Sequence, residues 1–108
     1  MAFQKTFTLP SGVSGNYVRL IAHRWDRAAR ECSALFALYV NATAAQTGKD
    51  ALTPWIAKLW LRGAKFDQYV GNTALETSDV LAQLYVAAKA EPLSCDFGSD
   101  AFADAQDV

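Results

Sequence analysis

Hydrophobic and polar residues alternate along parts of this chain, which predicts β-strands there. Residues 3–9 alternate loosely and precede Pro10, as in a short strand that a turn ends. Residues 55–63 alternate more regularly, and one side of this strand would face a core with Trp55, Ala57, Leu59 and Leu61. Residues 66–70, which are followed by Gly71, fit a further short strand.

The segment from residue 17 to residue 40 has two interpretations. Its apolar residues recur at spacings of three and four, which is typical of a helix. Residues 17–21 and 35–40 are also rich in aromatic and branched side chains, as buried strands are. The polar residues 26–31 between these runs would then form a hairpin connection. Periodicity alone leaves both interpretations open.

A helix is predicted over residues 79–90. Asp79 offers an N-cap, apolar residues at helical spacing form one stripe, and Pro92 follows the end. Beyond this helix the chain is acidic and has few large apolar residues. We therefore predict a single α+β domain over residues 1–92 and an acidic C-terminal tail over residues 93–108.

Charge is divided unequally along the chain. Residues 1–67 carry nine basic and four acidic groups, a net charge of +5, whereas residues 68–108 carry one basic and seven acidic groups, a net charge of −6. Such a chain can attract copies of itself without strong attraction to nucleic acid or to a membrane. Only 19% of the 108 residues are charged and 52% are hydrophobic, so a small domain of this kind leaves apolar surface for a partner.

No group of residues in the sequence indicates catalysis or metal binding. His23 is the only histidine and has only Asp26 near it, and the glycines of residues 11–16 lack the lysine of a phosphate-binding loop. Cys32 and Cys95 lack the spacing of metal ligands, so we interpret them as free thiols, with a disulfide between them as the alternative. We expect no enzyme activity, no cofactor, no metal and no small-molecule substrate.

Nothing in the sequence indicates a membrane segment. No apolar run approaches the roughly 20 residues that span a bilayer, and the first residues lack the pattern of a signal peptide. We therefore expect a protein that is made in a reducing cytoplasm.

Several short segments, in order along most of the chain, resemble those of the small virion structural proteins of tailed bacteriophages and prophages. They are Gly-Asn-Tyr-Val-Arg-Leu at 15–20, Asp-Arg-Ala-Ala-Arg at 26–30, Leu-Tyr-Val-Asn at 38–41, Ala-Ala-Gln-Thr-Gly-Lys at 44–49, Leu-Tyr-Val-Ala-Ala-Lys at 84–89 and Phe-Ala-Asp-Ala-Gln-Asp-Val at 102–108. The terminal Phe-x-x-Ala-x-Asp-Val is the most distinctive. The connection over residues 90–99 is longer than is usual in these proteins.

The resemblance implies a strand-rich α+β fold, with an antiparallel sheet of four or five strands and one late helix. It therefore favours the hairpin for residues 17–40. It also implies a non-enzymatic part of a phage particle, made in the host cytoplasm, whose partners are copies of itself and other virion proteins. We expect a place in the tail apparatus, that is, the tail, baseplate or collar. The alternatives are a capsid decoration protein and a small phage regulatory or nucleic-acid-binding protein.

The interface of such a subunit can be assigned from residue type. Phe97 and Phe102 would anchor the acidic tail on a neighbouring subunit, and Trp60 would lie at an interface, where tryptophan is enriched. The acidic partners in the tail would be Asp104 and Asp107. They would meet the arginines of the neighbour, Arg19, Arg24, Arg27 and Arg30.

Overall fold

The structure is a computed structural model that describes residues 2–108. Its strands are β1 (Phe3–Thr8), β2 (Ser14–Asp26), β3 (Glu31–Tyr39), β4 (Thr53–Arg62), β5 (Leu93–Cys95) and β6 (Gln106–Asp107). They form one antiparallel sheet in the order β5-β4-β3-β2-β1-β6. The α+β fold is therefore confirmed. The sheet has six strands rather than the expected four or five, because β5 and β6 form in the acidic tail.

Helical segments connect and follow the strands. They are α1 (Ala42–Gln46), α2 (Ala64–Val70), the single turn α3 (Asn72–Leu75) and α4 (Val80–Ala90). The predicted helix is α4, and Asp79 caps it because its side chain accepts a hydrogen bond from the backbone N–H of Ala82 at 2.7 Å. The other helices were not predicted from the sequence.

The predicted strand over residues 66–70 is wrong, because these residues belong to α2. Phe66, Tyr69 and Val70 are buried, and their spacing of three and four places them on one helix face. Gly63 begins the segment with a φ of +56°, a left-handed conformation that turns the chain out of β4. A five-residue segment with apolar residues at only three positions fits a strand and a helix equally well, so the sequence pattern could not distinguish them.

The hairpin interpretation of residues 17–40 is confirmed. Strands β2 and β3 pair from Tyr17 opposite Tyr39 to Asp26 opposite Glu31. A register shift between Leu20 and Ala22 interrupts the alternation of β2. Such a bulge moves later side chains to the other face, so two successive inward residues of β2 are three positions apart at this point instead of two. The apolar residues at helical spacing do not share a face, because Cys32 is buried, Leu35 lies on the opposite face and Ile21 is 43% exposed.

The core lies on one face of the sheet, under α2, α4 and the tail. The inward residues of β3 alternate along the strand and are almost completely buried, namely Cys32, Ala34, Phe36 and Leu38. Tyr85 of α4 packs edge-on against Phe3 and Phe36, with ring centroids 5.2 and 5.6 Å away. Aromatic packing thus joins the helix to strands β1 and β3.

Residues 96–108 pack against their own chain. Phe102 is fully buried, and its ring centroid lies 5.1 Å from that of Phe3 and 5.4 Å from that of Phe36. Strand β6 pairs with β1, and β5 pairs with β4. The tail therefore completes the domain, which differs from the predicted division between residues 1–92 and 93–108. Burial of one phenylalanine contributes about 1.5–3 kcal/mol, so Phe102 in this position stabilises the folded chain.

Candidate interaction surface

The outer face of the sheet is covered only in part. Helix α1 covers one half of it, where Ala37, Tyr39 and Ala45 are buried together. The pairing of β2, β3 and β4 places nine residues of the other half on one surface, which we call the open face: Ala22, Arg24, Asp26, Glu31, Ser33, Leu35, Lys58, Trp60 and Arg62. None of these nine residues is buried.

Trp60 lies on the β4 side of the open face, opposite Ser33 of β3, and is 49% exposed. The Arg62 guanidinium carbon lies 3.9 Å from the indole ring centroid, and the Lys58 ammonium lies 4.5 Å from it. Arg62 also contacts Glu31, with Nε 3.5 Å from Oε1. Cations over an indole ring are attracted to its π electrons, so these contacts hold Trp60 in one orientation on the surface. A tryptophan held in this way suits an interface, as predicted from the sequence.

A shallow groove of about 210 Å³ lies beside Trp60. Two cations, two carboxylates and a hydroxyl group line it together with the indole, from Arg24, Lys58, Asp26, Glu31, Ser33 and Trp60. This volume is smaller than that of a usual ligand pocket, and the opposite charges compensate each other. The groove therefore fits a side chain of a protein partner better than a cofactor.

Strand β2 has a free edge at the end of the sheet near the hairpin turn. Its pairing with β1 ends where Val18 lies opposite Phe3. The next inward residue, Leu20, donates its backbone N–H to the Tyr85 hydroxyl at 2.8 Å, and burial raises the pKa of that hydroxyl. Beyond this point the side chains of β2 are largely exposed. We call residues 21–30 the hairpin end.

The hairpin end is well ordered by local contacts. The Trp25 indole donates Nε1–H to the Val70 carbonyl at 3.0 Å and stacks on Phe66, with ring centroids 5.8 Å apart. In the turn, a carboxylate oxygen of Asp26 accepts the backbone N–H of Ala29 at 3.1 Å. The turn therefore presents a defined surface to solvent.

The four predicted arginines do not form one patch. Arg19 lies over the Tyr39 ring at 5.2 Å, near α1, and Arg24 lies on the open face. Arg30 pairs with Asp67, and a hydrogen bond to this carboxylate raises the pKa of the guanidinium. Neither Arg24 nor Arg27 forms an ion pair within residues 2–108.

The predicted acidic partners lie elsewhere. The Lys5 ammonium lies 2.6 Å from Asp104, and this hydrogen bond lowers the pKa of the carboxylate. Lys89 contacts Asp107 at 3.5 Å. Strand β6 pairs with β1, so these two aspartates contact lysines of their own chain rather than the arginines of a neighbour. Phe102, the predicted anchor on a neighbour, is in the core of its own chain.

A second candidate surface, which is mostly apolar, lies at the opposite end of the strands. It is a groove of about 260 Å³, which we call the basal groove, lined by Thr8, Leu9, Pro10, Thr53, Trp55, Ile56, Asp96 and Phe97. Trp55 is 58% exposed and Phe97 is 39% exposed, and the Phe97 ring also packs edge-on against Phe7 at 5.0 Å. The predicted apolar anchor Phe97 therefore keeps part of its surface accessible to a partner.

The exposure of Trp55 corrects the sequence analysis, which placed this residue on the core side of β4. The pairing of β3 with β4 shifts between Phe36 and Leu38, and both Ile56 and Ala57 are buried. This irregularity reverses the alternation before Ala57, so Trp55 points outward. A strict alternation of inward and outward residues along β4 therefore could not predict the basal groove. The only sequence signal was Pro54, since proline is confined to strand edges and irregular positions.

Both cysteines are free, and burial raises the pKa of the Cys32 thiol to about 11 and also raises that of Cys95. Within residues 2–108, His, Cys, Asp and Glu side chains do not gather in threes at a possible metal position. None of the described helices has the length and apolarity needed to cross a membrane.

The open face and the basal groove are similar in composition. They combine exposed tryptophans with charged groups, which is the composition of protein interfaces. Comparison with models of protein families, with curated proteins and with solved structures finds no match, so the following proposal depends on this geometry and on the resemblance of the sequence segments.

Proposed function

We propose that this chain is a structural subunit of a tailed bacteriophage particle. It acts in the tail apparatus, without catalysis, through contacts with copies of itself and with other virion proteins. The observation that carries the proposal is the exposure of Trp60 and Trp55, at 49% and 58%, in a domain of only 108 residues. Exposed tryptophans cost solvation free energy in a free monomer, and a partner that covers them removes this cost.

The position of the two tryptophans supports repeated assembly. Trp60 lies on the open face, whereas Trp55 lies in the basal groove at the other end of β4. A subunit with two different contact surfaces forms heterologous contacts, which generate rings or stacks. Tail tubes, baseplates and collars are assemblies of this kind, so this geometry favours the tail apparatus.

Two other functions predict different partners. A capsid decoration protein would use the same surfaces against a capsid lattice. A nucleic-acid-binding protein would present cations without nearby carboxylates, because the phosphate backbone dominates its affinity. Here Asp26 and Glu31 line the groove that Arg24 and Lys58 also line, which opposes phosphate binding.

The test is the composition of purified particles. Particles released from cells that carry the gene are banded in a density gradient, and their proteins are identified by mass spectrometry. We expect this chain in the particle band, and gold-labelled antibody against it should decorate the tail in electron micrographs. Labelling of the capsid would support the decoration protein instead, and absence of the chain from the particles would refute a structural role.

A gel-shift assay tests the alternative of a regulatory or nucleic-acid-binding protein. Purified protein is titrated against single- and double-stranded DNA at about 50 mM salt, where electrostatic binding is strong. We expect no shift. A shift that disappears as the salt concentration rises would support nucleic-acid binding and contradict the proposal.

A further inference from the structure

We propose that the hairpin turn of one copy inserts into the basal groove of a second copy, so that copies associate head to tail. This inference rests on the proposed structural function and adds the residues that make the contact. The turn consists of residues 27–30, and the basal groove is the surface around Trp55 and Phe97 defined above.

The two surfaces lie at opposite ends of the molecule. At one end, Asp26 of β2, Glu31 of β3 and Arg62 of β4 lie side by side. At the other end, Thr8 of β1 pairs with the first residue of β2, and Thr53 begins β4. The longest dimension of the molecule is 41 Å, so the turn of a copy cannot reach its own groove. Only another copy can bring the two together.

The chemistry of the two surfaces is complementary. The turn presents the small apolar residues Ala28 and Ala29 beside the guanidinium of Arg27. The basal groove has apolar walls and one carboxylate, Asp96, which forms no ion pair among the residues described. An arginine that enters the groove meets both this carboxylate and the Trp55 indole, which attracts cations.

Of the other charges of the hairpin end, Arg24 lies on the open face, outside the turn, and two have contacts within the chain. Arg30 pairs with Asp67, and Asp26 accepts the backbone N–H of Ala29. Arg27 is thus the charged residue of the turn that remains available to pair with a partner. Its counterpart in the groove is Asp96, because the other lining residues are apolar or uncharged. Charge complementarity between these two ends therefore selects a second copy as the occupant of the groove.

Charge reversal tests the contact directly. Wild type, Arg27→Glu and Asp96→Arg are compared by light scattering after size-exclusion chromatography and by sedimentation velocity over a concentration series. We expect wild type to form species larger than a dimer, and each single variant to shift to the monomer. Trp55→Ala should weaken the association constant by at least about thirtyfold, as loss of an interface tryptophan does.

Combination of the two reversals shows whether the two residues meet. An equimolar mixture of the single variants, and the double variant in one chain, should both recover assembly, because the introduced glutamate then faces the introduced arginine. Lys49→Glu and Asp50→Arg are the matched controls, since they change the charge equally at exposed positions outside the groove. Circular dichroism and thermal unfolding of every variant verify that the fold is retained.

The outcomes separate this inference from the proposed function. If the single variants assemble as wild type does, or if the combined reversal recovers nothing, the contact is wrong. If wild type is a monomer or a dimer at every concentration but is present in purified particles, the head-to-tail contact fails while the structural role stands. Absence of the chain from particles refutes the structural role, whatever the association of the purified protein.

Discussion

Substitution of Phe102 by alanine tests whether the tail belongs to its own domain. The side chain is fully buried, and its ring centroid lies 5.1, 5.4 and 6.0 Å from those of Phe3, Phe36 and Phe7. Removal of a phenylalanine from such an environment costs about 3–5 kcal/mol, because both the transfer free energy and the packing around the cavity are lost. A domain of this size has a total stability of about 5–15 kcal/mol, so the variant should be folded but weakly stable.

The measurement is urea unfolding followed by tryptophan fluorescence at low protein concentration. With a slope of about 2 kcal/mol per M, the unfolding midpoint of Phe102→Ala should fall by about 2 M. Phe97→Ala is the matched control, and because Phe97 is 39% exposed it should lose only about 1–2 kcal/mol. If Phe102→Ala unfolds at the same urea concentration as wild type but loses its oligomers, the tail docks on a neighbour and the reasoning is refuted.

Three further measurements test other parts of the fold. A Cβ atom at Gly15 would lie 2.4 Å from the Tyr39 carbonyl oxygen, so Gly15→Ala should cost about 1–3 kcal/mol, and an unchanged melting temperature would contradict this. A hydrogen bond from Tyr69 lowers the pKa of Glu91 below its ordinary 4.5. Wild type should therefore be more stable than Glu91→Gln at pH 7 and should lose this advantage as the pH falls through the lowered pKa. A stability difference that does not change with pH would contradict this. The Cys32 thiol, with a pKa of about 11, should resist alkylation at pH 8 until urea unfolds the protein, and rapid labelling of the folded protein would contradict its burial.

Ion pairs within the chain account for part of the unequal charge distribution. Lys5 pairs with Asp104, and Lys65 pairs with Glu91, so basic groups of the first 67 residues meet acidic groups of the rest within one molecule. A partly exposed pair such as Lys5–Asp104 contributes about 0–1 kcal/mol, so it orients the tail rather than holds it. Only the charged groups that have no partner within the same chain are therefore left to attract other copies, as the sequence led us to expect.

The elements that the sequence predicted are those with local signals. Helix α4 has an N-cap at Asp79 and a proline beyond its end, and β1 and β4 have clear alternation over most of their length. The outward position of Trp60 also followed from alternation, because its part of β4 is regular. In each case the residues that determine the structure lie within a few positions of one another.

Other features depended on contacts that sequence spacing does not encode. Irregularities in β2 and between β3 and β4 changed which side chains point inward, so Trp55 lies at the surface. The apolar residues of the hairpin at helical spacing lie on both faces of the sheet. Residues 66–70 became helical because Phe66 and Tyr69 pack under the sheet. Local propensity differs by less than the free energy of such packing, so the tertiary contacts decided the outcome.

By itself, the sequence determined the α+β fold class, the late helix and the presence of apolar residues at the surface. Only the tertiary structure decided that Phe102 lies in its own core and that Trp55 and Phe97 form a groove opposite the hairpin turn. The physical reason is that hydrophobic burial is not directional. An apolar side chain in a tail can be buried by its own domain or by a neighbour, and only the space left by the folded chain determines which one covers it.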